Sequence, residues 1–580
     1  MKKFLLILVS LFIMGTPSVM AQAGKVAGKV TDASGTPLIG VSVTIKDTVK
    51  GTATDVDGNY ALDAQKTDVL VFEFLGYKTQ EITVGSQTVI NVSLVEDMTA
   101  IDQVVVVGYG TMEKKMVTSS VSSVAGDALM PGAGNVSVAN ALRGKVGSLV
   151  ISGSDSANAG QTLQLRGSAS INGGTGPLVV IDGMPGGDIR SVLPEDIKSI
   201  DVLKDASAGA IYGSRAAGGV ILITTKNASG LDEGTVRLSY TGEFSHKDVL
   251  KTPDVLNAAE FLELRANQGA IDYGQDFNWY DAMLNKDNFS HKHHISLELG
   301  TEKAQVYTSF FYDKKEGIAI KDAREDFGGR VNANFKLFDD WLEIKPAIDY
   351  RQASRNNNYP EFQQALRNNP TRSPYDENSE TGYNVWRNES LDYNTVARVM
   401  LSDSEGLDKW FKPEVTLKLN IKPIPGLSFQ QVLGYENRQW ESHYYRSKYH
   451  ETELDASRKG YGELGFSKTE NITSEGYFTY VKEFNGGHNL NAVAGYSYFE
   501  TNGEAFSMSN ANFSVDGIKF WNMGEGSYLS DGKAGMSSSK NITEKLFAFF
   551  GRVNYSYQDK YMLGASYRRE GSSKFAADNR

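Results

Sequence analysis

From about Thr235 onward, apolar and polar residues alternate with a period of two in segment after segment, and this pattern limits the fold more than any other feature of the chain. Val236, Leu238, Tyr240 and Phe244 fall on one face and Arg237, Ser239, Thr241 and Glu243 on the other. Ile295, Leu297 and Leu299 stand against Ser296 and Glu298, and Val331, Ala333, Phe335 and Leu337 against Asn332, Asn334 and Lys336. The pattern returns at Val415, Leu417, Leu419 and Ile421, at Leu490, Ala492, Ala494, Tyr496 and Tyr498, and at Tyr561, Leu563, Ala565 and Tyr567. A period of two with one apolar face predicts strands exposed differently on their two sides, and about eleven of them are expected. The pattern alone leaves open a soluble β-sandwich and a membrane β-barrel. Mean hydropathy, at −0.34, does not separate them, because barrel strands alternate and look mild in any hydropathy window.

The 580 residues exceed one ordinary domain. A net charge of −11 offers no basic excess for a phosphate backbone, so nucleic acid is not expected as a partner. With no cysteine in the chain, disulfides, thiolate metal sites and cysteine nucleophiles are excluded. Residues 1–21 have the form of an export signal: Lys2 and Lys3, an apolar stretch from Phe4 to Met14, and Val19-Met20-Ala21 as a small-residue cleavage site before Gln22. Beyond it no apolar stretch reaches the roughly 20 residues of a transmembrane helix.

Residues 24–97 read as a small β-sandwich. Short strands are expected at 26–30, 41–45, 60–62, 69–74, 81–84 and 89–94, separated by turns such as Asp32-Ala-Ser-Gly35 and Asp55-Val-Asp-Gly58-Asn59. Residues 113–228 mix helix and strand. Ser137 or Asn135 can cap a short helix through Leu142, Pro177-Leu-Val-Val-Ile-Asp-Gly-Met-Pro185 reads as a buried strand ending in a turn, and Pro194 suits the first turn of a helix. Asp205 is placed to cap a helix from Ala206 to Tyr212, with Gly213, Gly218 and Gly219 reversing the chain before a last strand from Val220 to Thr225.

The string Ile200-Asp-Val-Leu-Lys-Asp-Ala-Ser-Ala-Gly-Ala-Ile-Tyr-Gly-Ser-Arg-Ala-Ala-Gly-Gly-Val-Ile-Leu-Ile-Thr-Thr-Lys226 resembles, almost residue for residue, the plug-domain signature of SusC/RagA-type TonB-dependent outer-membrane transporters. Leu203, Lys204, Asp205, Ala206, Tyr212, Gly213, Arg215 and Gly219 carry that signature. Leu142-Arg-Gly-Lys-Val-Gly147 and Leu165-Arg-Gly167 also fit it, while Gly218 stands where the family more usually has Asn. Gly28-Lys-Val-Thr-Asp, Pro37-Leu-Ile-Gly-Val, Thr54-Asp-Val-Asp-Gly-Asn-Tyr and Phe74-Leu-Gly-Tyr resemble the carboxypeptidase-regulatory-like domain, which is not itself catalytic.

Residues 101–112 link these two regions. Four consecutive valines, Val104, Val105, Val106 and Val107, favour an extended backbone. They read either as a buried strand of a neighbouring domain or as a handle that a partner grips by adding its own strand edge. Together with Asp102 and Gln103 they resemble the TonB box of the SusC family, with Gln103 where Glu is common.

The resemblance implies a mainly β protein: a carboxypeptidase-regulatory-like β-sandwich, an α/β plug domain, and, over 235–580, the N-terminal half of a transmembrane barrel of about 22 strands. A half-barrel would leave bare edges in lipid, so the sequence is expected to be truncated at its C-terminus. As partners the resemblance implies TonB, driven by ExbB and ExbD, a SusD-like surface lipoprotein acting as a lid, and outer-membrane lipid in a Gram-negative, Bacteroidota-type bacterium. The cargo it implies is an oligosaccharide or oligopeptide, taken up without cofactor.

Nothing in the chain points to an enzyme. His291, His293 and His294 form the one histidine cluster, and His293 and His294 would point to opposite faces of a strand, as in a solvated junction rather than a metal site. Asp376, Glu377 and Asn378 suit an exposed turn or a calcium loop. No zinc-hydrolase pattern or phosphate loop occurs. The long polar stretch 355–398, with Tyr359 and Trp386, reads as an external loop that either touches cargo or lid or is simply solvated. Two other roles are considered: a receptor or adhesin without uptake, and a signal transducer. Transducing relatives carry a further N-terminal domain, whereas here the β-sandwich opens at Gly24.

Overall fold

The computed structural model describes residues 24–575 except 33–34, 47, 49, 75–76, 78, 96–103, 107–108, 110, 114–119, 130–136, 155, 168–175, 206–208, 229–230, 232–233, 359, 387–392 and 559. The predicted export signal, Asp102, Gln103, Val107, Ala206 and Tyr359 lie outside the described residues. Two compact units are present, one ending near Val104 and the other holding nearly everything after it.

The first unit has seven strands: β1 (Gly24–Asp32), β2 (Ser42–Ile45), β3 (Gly51–Ala53), β4 (Asn59–Ala64), β5 (Val69–Glu73), β6 (Gln80–Thr83) and β7 (Val92–Leu94). They form a β4-β1-β7 sheet and a β3-β2-β5-β6 sheet. Alternate residues, among them Val30, Val41, Val43, Leu70, Phe72 and Leu94, fill the space between them. The turn before β4 forms because the Asp55 carboxylate accepts the backbone N–H groups of Asp57 and Asn59. Those bonds, that of Asn59 first, hold Asp55 below the usual carboxylate range. Two short strands follow, β8 (Val104–Val106) and β9 (Thr111–Glu113), which pair with each other.

The second unit contains an α/β layer built from β10 (Val121–Ala125), β11 (Leu149–Ser152), β12 (Thr162–Leu165), β13 (Leu178–Ile181), β14 (Met184–Pro185), β15 (Ile197–Leu203) and β16 (Val220–Thr225). Its main sheet runs β10-β15-β16-β13-β14, with β13 parallel to β16 and β15 antiparallel to it. β15 and β16 lie centrally, and Ile197, Ile200, Val202, Ile221 and Ile223 are buried with Leu142 and Leu165 in its core. Ser137 caps the helix Val138–Ala141 by accepting the Asn140 N–H, and Pro194 opens a short 3-10 helix, Pro194–Asp196.

Eleven antiparallel strands then pair strictly in sequence order: β17 (Val236–Ser245), β18 (Ser290–Gly300), β19 (Ala304–Glu316), β20 (Asp322–Leu337), β21 (Leu342–Asn357), β22 (Ser402–Asn420), β23 (Leu427–Arg446), β24 (Tyr461–Phe484), β25 (His488–Ala511), β26 (Gly535–Tyr557) and β27 (Tyr561–Ser572). β24 and β25 have 24 residues each, a reach of roughly 80 Å at ~3.3 Å per residue. That is about twice what a membrane strand needs, so the strands run well past an apolar band. Connections at one end are tight, at 301–303, 338–341, 485–487 and 558–560. At the other they lengthen to 246–289, 358–401 and 512–534.

The two faces of this sheet decide between sandwich and barrel. On β18, Lys292, His294 and Ser296 are buried while Ile295 and Leu299 are exposed; on β17, Val236, Leu238, Tyr240 and Phe244 are all more than 60% exposed. A soluble sandwich buries its apolar face, whereas here the polar face is covered and the apolar face is bare, the arrangement of a membrane barrel wall.

The Asp205 carboxylate accepts the Ser120 N–H and its carbonyl accepts the Gly209 N–H; residues 206–208 lie outside the described residues, and a 3-10 segment, Ala210–Ala216, broken at Gly213, follows. The structure corrects two expectations. The histidines are no solvated junction, because His294 is buried and its Nε2 lies 2.9 Å from Asp196 Oδ1, while His293 on the outer face meets the Tyr240 hydroxyl. Trp386 is not a solvated loop aromatic: it packs on Trp279 and under the Arg372 guanidinium in a small core that joins loops 246–289 and 358–401.

Candidate functional site

The signature string predicted from sequence sits where the α/β layer meets the covered face of the strand wall. Leu203 ends β15 fully buried. Lys204 follows, its N–H bonded to the Ser120 carbonyl. Tyr212 is buried, with its ring 5.6 Å from that of Tyr109. Gly213 has φ +69° and ψ −149°, a region that essentially only glycine occupies. A Cβ there would lie 2.2 Å from Glu570 Oε2 and 2.7 Å from Arg568 Nε. Gly219, at φ +87°, leaves room for Leu165 and the Leu203 carbonyl in the same way.

The wall holds this string by its backbone. Arg568 donates from Nη1 to the Ile211 carbonyl at 2.9 Å and from Nη2 to Ser497 Oγ at 3.0 Å, while Glu570 accepts the Ser214 N–H at 2.9 Å. The Arg215 guanidinium lies 4.9 Å over the Phe499 ring.

Tyr109, two positions past the valine run, enters the same cluster. Its ring stacks 4.1 Å from Phe550 and meets Tyr477 edge-on at 5.1 Å. Its hydroxyl donates to Glu475 Oε1 at 2.8 Å, and Arg552 Nη2 reaches its carbonyl at 3.4 Å. Burial first, and then the neighbouring Glu475, push the Tyr109 phenol well above its ordinary range, so it remains a neutral donor. The sequence alone assigns no role to Tyr109, Arg568 or Glu570. The only sequence signal for the last two is charge at alternate positions of a strand whose other face is apolar.

A second contact lies against β18 and β19. Asp196 accepts the Tyr307 hydroxyl at 2.6 Å beside His294, and Glu195 pairs with Lys292. Burial raises the Asp196 carboxyl, but the hydrogen bond and charge of His294 outweigh it and the group sits below the usual carboxylate range. In the loop 154–161, Ser156 Oγ and the Ala157 N–H donate to Asp322. Among the described residues no group of three or more His, Asp and Glu side chains is arranged to hold a metal ion. Asp376 instead accepts the Asn378 N–H of its own turn.

A sheet with an apolar outer face, filled on its polar face by an α/β layer whose fixed string is clamped by the wall, defines a plugged outer-membrane-type barrel, the class of the TonB-dependent receptors. Residues 26–106 match the CarboxypepD_reg-like domain family and residues 113–220 the TonB-dependent Receptor Plug Domain. A TonB-dependent receptor of Formosa agariphila is 32% identical over 585 residues, covering 97% of this chain and 56% of the relative. The TonB-dependent receptor SusC of Bacteroides thetaiotaomicron is 29% identical over 606 residues, 97% of this chain and 57% of the relative. The RagAB peptide importer in its "open-open" state superposes with a TM-score of 0.70 at 21% identity, over 82% of this chain and 57% of that one. The chain belongs to the SusC/RagA-type TonB-dependent receptors. It spans a little over half the length of the relatives it matches. These relatives are receptors, not enzymes, and the chain is not an enzyme.

Proposed function

We propose that the chain is part of an outer-membrane importer of oligosaccharides or oligopeptides, energised through TonB with ExbB and ExbD and working beneath a SusD-like lipoprotein lid. In this reading residues 1–21 direct export, 24–97 form the accessory sandwich, 102–107 are the TonB box, 113–228 the plug, and 235–580 a run of barrel wall whose loop end faces outward. A porous outer membrane holds no ion gradient, so work must reach the plug by a pull from the inner membrane. An added strand along Val104, Val105 and Val106 would provide main-chain hydrogen bonds for that grip.

The supporting observation is Tyr109. It stands two residues past the valine run and is wedged between the plug residue Tyr212 and the wall residues Phe550 and Glu475. A load on the run would therefore fall on the β8–β9 pair and on the contact that keeps plug and wall together. An adhesin has no use for such a linkage. Deleting residues 102–107 is expected to abolish growth on the cognate nutrient while surface expression persists. Uptake at the normal rate in that strain would refute the TonB-box assignment.

A further inference from the structure

The face of the plug nearest the loop end carries a cavity of about 100 Å³, bounded by Ser156, Asn158 and Arg190 of the plug and by Lys292, Lys315, Arg324 and Arg351 of the wall. We propose that this cavity receives a carboxylate of the cargo, so that the imported class is an acidic oligomer. The proposal deepens the importer reading and rests on it, since only in an importer is the bound group cargo.

Charge carries the argument. Among the lining residues six side chains are cationic and a single one, Asp313, is a carboxylate; Lys292 is paired with Glu195 and Glu243 and Lys315 with Asp313, so the excess lies with the guanidiniums. Around the cavity five guanidiniums share three carboxylates. Arg324 and Arg351 both reach Asp326, Arg190 and Arg438 both reach Asp188, and Arg355 and Arg438 both reach Asp408. The last of these is slack. Asp408 is buried, its guanidinium neighbours stand at 3.4 and 4.0 Å, and neither of its oxygens nor Arg355 Nε makes a hydrogen bond. An excess of guanidiniums confined at a protein wall is costly until an anion joins them. Planar guanidiniums match a carboxylate two bonds at a time.

The aromatic groups favour an acid over a neutral sugar. Arg351 and Arg438 lie over the Trp410 ring at 5.8 and 4.7 Å, and Arg355 lies over Trp440 at 5.9 Å. The indoles therefore face guanidiniums, and recognition here is ionic. Gly406 allows this packing, since a Cβ at that position would lie 3.2 Å from Arg355 Nη2. A space of this size holds about three waters, enough for one charged group with the remainder of the oligomer leading towards the loops.

The test is calorimetric titration of the purified full-length receptor with two matched pairs: tetragalacturonate against its methyl ester, and pentaglutamate against pentaglutamine. At least one acid is expected to bind about tenfold more tightly than its neutral partner, with the gap closing at high salt. Whichever pair shows the gap identifies the cargo as saccharide or peptide. Arg190→Gln is expected to shrink the gap below about threefold, and Arg190→Lys to keep it. Asp188 retains Arg438 in both variants. Equal binding of acid and neutral probes, no binding of either acid, or a gap that survives Arg190→Gln would overturn the proposal. The assay needs no TonB, so its failure leaves the uptake reading standing, and uptake that persists without residues 102–107 strikes only that reading.

Discussion

Removing the Tyr109 ring tests whether it locks the plug to the wall. The ring makes three aromatic contacts, with centroids 4.1, 5.1 and 5.6 Å away, and its hydroxyl supplies the hydrogen bond to Glu475. Truncating a buried aromatic to alanine costs about 3–5 kcal/mol. Losing the hydroxyl alone, and leaving the Glu475 carboxyl short of a donor, costs about 1–3 kcal/mol. At about 1.4 kcal/mol per decade, Tyr109→Ala should raise the population of the opened cluster by two to three orders of magnitude, and Tyr109→Phe by about one. The chain has no cysteine, so Ala216→Cys, at a buried position of the same cluster, gives a thiol that a maleimide reaches only when the cluster opens. Labelling rates should rank Tyr109→Ala above Tyr109→Phe above the parent. A Tyr109→Ala rate within threefold of the parent would refute the idea that this residue holds the plug shut.

Gly213→Ala should cost about 1–3 kcal/mol through backbone strain alone and should displace Glu570 from the Ser214 N–H, which hydrogen exchange at that amide would report. Asp196 has its carboxyl depressed in the folded state, so its contribution is complete above the unfolded value near pH 4 and is lost as pH falls through the lower folded value. Plug docking, followed by exchange of β15 amides, should therefore be insensitive to this group at neutral pH and weaken below about pH 4, and Asp196→Asn should remove that acid dependence. In the sandwich, the Tyr60 hydroxyl donates to the Ile90 carbonyl at 2.8 Å, and burial pushes its phenol up to about 12. Tyr60→Phe should cost about 1–3 kcal/mol, measured as the denaturant midpoint of residues 24–97.

Alternation made the wall legible, because a period of two fixes which residues share a face whatever lies beyond. It could not say which face is wet. That came from the buried Lys292, His294 and Ser296 set against the exposed Ile295. The sandwich turns were legible because Asp55 and Gly58 act within a few residues of themselves. The site was less so. Tyr109 and Glu475 are 366 positions apart, and Asp196 and His294 are 98 apart, so no local pattern announces either pair. The bond from the Ser120 N–H to the Asp205 carboxylate, 85 positions apart, arises in the same way, from the strand pairing of β10 with β15. The burial of Trp386 did leave a trace, since a solvated loop has little use for a tryptophan when a second, Trp279, stands in the preceding long loop.

The signature string can now be read as contacts. Gly213 admits Arg568 and Glu570, Tyr212 meets Tyr109, Arg215 covers Phe499, and Asp205 ties the string to the start of β10. None of these contacts does chemistry; each places the plug against the wall or against the segment that leads to the valines. Chain order then sets how a pull from residues 102–107 would travel. The β8–β9 pair and Tyr109 take the load first. Beyond β9 the next strand is β10, which lies at the sheet edge and, among the described residues, is joined only to β15, by five residue pairs. Stripping an edge strand breaks its bonds without disturbing β15-β16-β13, whose buried apolar side chains make the sheet interior the costliest part to open. The fold thus places an edge strand behind its lock, so releasing one aromatic ring would free an edge of the plug before its core is strained.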